Sequence, residues 1–205
     1  MEFTAQPNPL RAHFIGIGGA GMSGIARVMH ERGDIVTGSD LKESRYTNAL
    51  TGIGVPITIG HSAEGLGNPS VVVVSSAIRD DNPELIAARE RGIEIWPRAR
   101  MLASLAGSRA TIAVAGTHGK TSTSAMVATM LAGMGEDPTF VVGGEVTDVQ
   151  VNARAGTGRH YVVEADESDG SLLYLEPTIA VVTNIEAEHL DHYGSLEAVE
   201  QTFVE

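Results

Sequence analysis

Ala12-His13-Phe14-Ile15-Gly16-Ile17-Gly18-Gly19-Ala20-Gly21 decides the fold of the first half of the chain. An apolar, β-rich run (Ala12 to Ile17) meets glycines at once, which predicts a strand entering a tight turn. Met22 to Arg32 follows with Ile25, Val28 and Met29 at helical spacing, and Gly33 stops it. The loop carries GxGxxG between that strand and helix. Glycines let backbone N–H groups approach a pyrophosphate, and the helix N-terminus adds a favourable field for negative charge. Asp40 lies 19 residues after Gly21, where dinucleotide folds place a ribose-binding acid. On these residues alone the domain is expected to bind NAD, although the motif itself specifies only a nucleotide diphosphate.

The pattern continues outward from this unit. Strands are expected at Asp34–Gly38, Val55–Ile59, Val71–Ser75 and Ile93–Trp96, with helices around Asn48–Leu50 and Pro83–Arg91. The four valines from Val71 suit a strand buried on both faces of a parallel sheet. Alternating strands and helices mean βαβ units in a doubly wound α/β sheet. Ligands bind beyond the carboxyl ends of such strands. Gly60-His61 and Ser75-Ser76 fall on that edge. His61 either hydrogen-bonds a base or is an exposed loop residue. Ser75 and Ser76 either touch ligand or cap a helix.

Composition narrows the possibilities. The chain has 205 residues, a formal net charge of −12, 42% hydrophobic residues and no cysteine. At roughly 150 residues per domain this length fits one to two domains. The absence of cysteine excludes a disulfide scaffold, a thiolate metal site and a cysteine nucleophile. No apolar run approaches the ~20 residues of a membrane span, so no membrane partner is expected. Strong acidity disfavours nonspecific nucleic-acid binding. Residues 1–107 carry 10 basic and 11 acidic groups, whereas residues 108–205 carry 4 and 15. The acidic excess is either a solvated face or a set of carboxylates holding divalent cations.

The strand–loop–helix pattern restarts near Gly107, where the domain boundary is placed. Thr111–Ala115 predicts a strand, Gly116-Thr117-His118-Gly119-Lys120-Thr121 a loop, and Thr121–Leu131 a helix. Thr139–Val142, Tyr161–Glu164 and Ile179–Thr183 are further strands. The GKT tail is that of a P-loop, in which backbone amides cradle phosphate, lysine reaches the β/γ-phosphates and threonine meets Mg²⁺. ATP binding is therefore expected, through Gly116, Thr117, His118, Gly119, Lys120, Thr121 and Ser122. The usual spacing would put glycine at Val114, so the loop is a shortened variant. His118 either orients a phosphate or faces solvent. Glu164-Ala165-Asp166-Glu167-Ser168-Asp169 offers four carboxylates after a strand, one of which could ligate Mg²⁺. His189, in Asn184-Ile185-Glu186-Ala187-Glu188-His189, reads on chemistry alone as a general base or a loop residue, because Mg²⁺ prefers oxygen.

Taken together, His13–Ala26, Gly38–Asp40, Ser75–Ile78, Gly116–Thr121, Glu164–Ser171 and Thr183–Tyr193 resemble the Mur ligases of peptidoglycan synthesis, over nearly the whole chain and in the family's order. The resemblance implies a Rossmann-like UDP-sugar-binding domain over 1–107 and part of a P-loop-type ATP-binding domain over 108–205. It implies a cytoplasmic, ATP-dependent ligase that joins L-alanine to UDP-N-acetylmuramate through an acyl phosphate. Carried over residue by residue, Gly18, Gly19, Ala20, Gly21, Met22 and Ser23 would hold the UDP diphosphate. Asp40, His61, Ser75 and Ser76 would surround ribose and uracil. Lys120, Glu164 and His189 would be catalytic. Thr121 would ligate one Mg²⁺, and Glu164 and His189 a second. The resemblance thus replaces both the NAD expectation and the first reading of His189.

Two departures stand out: Ser122, where the family often has further threonines, and Glu188, where aspartate is common. Ser195 reads as an N-cap with Leu196, Val199 and Phe203 as the apolar stripe behind it. The sequence stops inside that helix, and Mur ligases are over twice this length. Residues gripping adenine and L-alanine are expected past Glu205, and the chain is expected to be a fragment without turnover whose second half has an open sheet edge. The alternatives are a sibling ligase that attaches a recycled tripeptide to the same UDP-sugar, and a non-catalytic UDP-sugar-binding module.

Overall fold

The computed structural model describes residues 9–146, 151–166, 171–187 and 194–203. The chain divides into two compact units, Met1–Met101 and Leu102–Glu205.

In the first unit the strands are β1 (Arg11–Ile15), β2 (Ile35–Asp40), β3 (Ile57–Ile59), β4 (Val71–Val74) and β5 (Glu94–Pro97). They form one parallel sheet in the order β3-β2-β1-β4-β5. The chain runs one way from β1 to β3 and crosses back to β4, so the strand order reverses between β1 and β4. Such a switch point opens a crevice at the carboxyl edge. Helices α1 (Ala20–Glu31), α2 (Arg45–Gly52) and α3 (Pro83–Glu90) accompany the sheet, and α4 (Arg98–Ser104) follows β5. Local chemistry fixes the helix starts. Ser44 and Thr47 form a reciprocal capping box on α2, and the Asn82 side chain accepts from the amides of Glu84 and Leu85 ahead of Pro83. Ile15, Leu66, Val72, Leu85, Ala87 and Ala88 make one core beneath α3. Each large apolar side chain closed off there stabilises by about 1.5–3 kcal/mol.

The second unit carries β6 (Ala110–Ala115), β7 (Thr139–Val146), β8 (Val151–Arg154), β9 (His160–Glu164) and β10 (Ile179–Val182). Their order is β10-β6-β9-β7-β8, parallel except for the antiparallel β7–β8 pair. Helix α5 (Lys120–Gly133) follows β6, and α6 (Leu196–Thr202) is capped by the Ser195 side chain, as expected. Ile112, Ala128, Phe140, Val142, Val146 and Val162 form the core between α5 and the sheet. Fully buried Tyr161 donates its hydroxyl to the Leu102 carbonyl at 3.0 Å. Two surfaces stay open. Met126, Met130 and Met134, four residues apart on one side of α5, are 58–74% exposed, and Ile179 and Val182 of edge strand β10 are 53% and 47% exposed.

The predicted strands and helices all form. Strand β8 and helix α4 were not anticipated. β7 runs four residues longer than expected because its far half pairs with β8 instead of turning away. Among the described residues, no helix is long and apolar enough to cross a membrane.

Candidate functional site

The first loop is built almost entirely from backbone. Gly16 and Ile17 both donate to the Ser39 carbonyl, at 2.9 and 3.0 Å, and Gly18 N–H donates to Asp40 Oδ2 at 2.8 Å. A Cβ at Gly18 would lie 2.8 Å from that same carboxylate oxygen and displace it from the amide it accepts from. The turn is thus locked onto the end of β2. Gly19 caps α1 with no side-chain hydrogen bond, and no acidic residue sits in the first turn of α1. The helix field at this end is left to act on an external anion.

The remaining residues expected here fall into two groups. Gly18, Gly19, Ala20 and Gly21 line the turn. Met22 and Ser23 are buried, and Ser23 spends its amide on Gly19 O and its hydroxyl on Ala20 O, so both donors are used inside α1. Ser75 closes its own turn by accepting from the Ala77 amide, while Asn82 caps α3, so neither Ser75 nor Ser76 is a helix cap. His61 is not a free loop residue. Its Nδ1 lies 2.9 Å from Ser39 Oγ and 3.0 Å from Glu84 Oε2.

Two residues at this edge escaped sequence reading. The Arg98 guanidinium packs against Gly21, filling the space a Cβ would need. Glu84 is completely buried beneath the sheet. Burial pushes its carboxyl pKa up, but the His13 imidazole beside it and hydrogen bonding with Ser39 and His61 together outweigh this, holding it below the ordinary value. His13 Nε2 lies 3.6 Å from Glu84 Oε1, beyond hydrogen-bond length. A glutamate after proline at a helix start reads as a solvated first-turn acid. The signal that could have revealed it was the polar row His13, Thr37 and Ser39 on strands that should be buried.

The second loop is tied together by side chains. Gly116 has φ +117°, and a Cβ there would run into the Thr183 hydroxyl and Asn184 backbone. The Thr117 amide donates to Asn184 O, the His118 amide to Asn184 Oδ1, the Thr183 hydroxyl to His118 O at 2.6 Å, and the Glu186 amide to Thr117 Oγ1. Thr183 and Asn184 therefore shape the loop, a role not foreseen for them. Val114 is fully buried within β6, and the turn begins at Gly116, so the loop is shortened by two residues at its start.

Lys120, the first residue of α5, curls back so that Nζ donates to Gly116 O at 2.6 Å and Thr117 O at 3.2 Å. The ammonium thus sits inside the curve of the loop. The Thr121 hydroxyl donates to Glu164, at 3.1 and 3.0 Å from its two oxygens, and the Gly143 amide donates to Oε2 at 2.6 Å. His118 points outward toward Glu186 at 3.7 Å, both well exposed. Ser122 is exposed. The Asp166 backbone is tied to Ser171, whose hydroxyl accepts from the Asp166 amide and donates to the Asp166 carbonyl. His189, Glu188 and Glu167–Asp169 lie outside the described residues. Thr121 and Glu164 supply the hard oxygen donors that Mg²⁺ prefers, in the number a site completed by phosphate and water needs.

Two family models match: one described as "Mur ligase family, catalytic domain" over residues 11–110, the other as "Mur ligase middle domain" over residues 114–205. The chain belongs to the Mur ligase family. Its relatives include UDP-N-acetylmuramate–L-alanine ligases of Geotalea daltonii, 56% identical over 95% of the chain, and of Methylobacillus flagellatus, 56% identical over 94%. This Mur ligase chain spans only 43% and 41% of their respective lengths. Among solved structures, the UDP-N-acetylmuramate–alanine ligase of Thermotoga maritima superposes with a TM-score of 0.85 at 37% identity, covering 95% of this chain and 46% of that one. A UDP-N-acetylmuramate:L-alanyl-γ-D-glutamyl-meso-diaminopimelate ligase from Neisseria superposes with 0.88 at 28% identity, covering 96% and 67%.

Proposed function

We propose that the chain is the substrate-gripping part of an ATP-dependent peptidoglycan-precursor ligase that joins L-alanine to UDP-N-acetylmuramate in the cytoplasm. The observation that carries this reading is the second loop, where the Lys120 ammonium curls back onto the Gly116 carbonyl and Thr121 meets Glu164 beside it. A dehydrogenase has no use for such a cradle. Residues 1–107 form the UDP-sugar domain and residues 108–205 the start of the ATP domain.

The loop amides at Gly18–Gly21 hold the UDP diphosphate, with Asp40 at the ribose and His61 at the base. A muramyl carboxylate oxygen attacks the γ-phosphorus of ATP and ADP leaves. The L-alanine amine then attacks the acyl carbon, and the tetrahedral intermediate expels phosphate. Lys120 binds the ATP phosphates and offsets their developing charge, and the 116–121 amides orient them for in-line transfer. Thr121 would hold one Mg²⁺, and Glu164 would hold a second together with His189, the ligand the family resemblance implies. Mg²⁺ supplies charge neutralisation at the phosphates.

Since the chain spans less than half the length of its relatives, the grips for adenine and L-alanine are assigned to the part it does not match. These 205 residues then bind the UDP-sugar without turnover. Isothermal titration with UDP-N-acetylmuramate, and separately with NAD, tests the reading: heat with the UDP-sugar alone is expected, and heat with NAD alone would overturn it. The slightly higher structural similarity to the Neisseria ligase favours a second reading, in which the amine is a recycled tripeptide. Turnover by the relatives' full-length form with L-alanine against tripeptide separates the two.

A further inference from the structure

The unit around Glu84 contains more order than a structural buried acid needs. Glu84 lies in the first turn of α3, 0% exposed, and faces His13 from β1, Ser39 from β2 and His61 from the segment after β3. Ser39 Oγ donates to Glu84 Oε2 at 2.5 Å. That leaves an oxygen lone pair on Ser39, 2.9 Å from His61 Nδ1, while the carboxylate oxygen lies 3.0 Å from the same nitrogen. Both neighbours of Nδ1 therefore accept, and the ring hydrogen has to reside there. Among the described residues His61 Nε2 has no hydrogen-bond partner, and it is not one of the buried atoms left without one, although the side chain is only 9% exposed. A neutral ring held this way presents a bare acceptor to the ligand edge.

Position along the sheet says what it would accept from. The diphosphate loop follows β1 and Asp40 ends β2. His61 follows β3, two strands and about 10 Å from β1. Phosphate, sugar and base of an extended nucleoside diphosphate lie in that order. Uracil carries a hydrogen on N3, and cytosine has a lone pair there.

We propose that Glu84 is a specificity-determining positioning residue: through Ser39 and Nδ1 it fixes His61 in the tautomer whose Nε2 accepts from uracil N3–H, so that the site takes uridine and rejects cytidine nucleotides. The proposal rests on the reading of the first loop as a nucleoside-diphosphate site. Cytidine would set two acceptors face to face, and an unmet polar contact of this kind weakens binding roughly ten- to hundredfold.

Two measurements on the intact chain test it. In ¹⁵N-edited NMR without ligand, neutral His61 is expected to show a protonated Nδ1 and a pyridine-like Nε2. In Glu84→Gln, whose amide can donate to Nδ1, the hydrogen is expected to move to Nε2, and Glu84→Asp should restore the wild-type pattern at least partly. Titration with UDP and CDP should then show a wild-type preference for UDP of at least tenfold that disappears in Glu84→Gln. A protonated Nε2 in neutral wild-type His61, or a UDP/CDP ratio unchanged in Glu84→Gln, overturns the role given to Glu84. If UDP does not bind the wild type at all, the reading of the first loop falls, and the specificity role falls with it, while the NMR result still reports the tautomer.

Discussion

The two glycine loops sit at equivalent places, each between a strand and a helix, yet they are assembled from different materials. The first is pinned by main-chain amides to Ser39 and Asp40 and brings no lysine. The second encloses Lys120 and stands beside Thr121 and Glu164, with Thr183 and Asn184 closing it from another strand. A diphosphate that is only held needs partial charges in fixed positions. A phosphoryl group that is transferred changes its charge distribution, and a full charge held in place beside it stabilises that change.

The sharpest way to break the contrast is Gly116→Ala. With φ +117° and Thr183–Asn184 against the Cα, we expect a loss of about 3 kcal/mol or more from the second unit, read by chemical denaturation, while UDP-sugar binding survives. If the substitution were tolerated, the second loop would not be the rigid cradle described. Next comes Lys120→Met. ATP binding, or turnover in the relatives' full-length form, should fall about a hundredfold with UDP-sugar affinity unchanged. A smaller effect belongs to the first unit. Ser44→Ala removes the capping-box acceptor of α2 and should cost about 1 kcal/mol, without touching ATP binding.

The mildest expected change is a pH slope. Glu84 has its folded pKa below the ordinary 4.5, so its contribution is fully present above that value and is lost as the pH falls through the folded pKa. Acid unfolding of the first unit should be shallower in Glu84→Gln; an identical slope would show that the carboxylate is not held as described.

Sequence reading recovered what periodicity and glycine spacing encode. Both loops, the capped helices and the valine-rich β4 were visible because each is a local pattern. Lys120 and Thr121 could be placed at the second loop for the same reason. What stayed hidden was long-range. Glu84 looks like any acid in a first helical turn until three strands deliver His13, Ser39 and the His61 segment to it. Thr183 and Asn184 lie over sixty residues from the loop they close. Arg98 follows a strand on the far side of the sheet from β3, and nothing near it in sequence announces Gly21. Ser23 stands at the motif position, and its hydroxyl donates within its own helix.

The ties between the second loop and residues 183–186 also bear on how the protein assembles. The first cradle closes across 22 residues, from Gly18 to Asp40, whereas the bonds of the second span 65 to 69. Closing a segment three times as long costs roughly 1 kcal/mol more in chain entropy, and topologies with distant pairings fold more slowly. On a ribosome the glycine turn of the first unit can form as soon as β2 emerges. The second loop has to wait for the strand at Ile179–Val182 and the segment after it, so the chain can close its first glycine loop before its second.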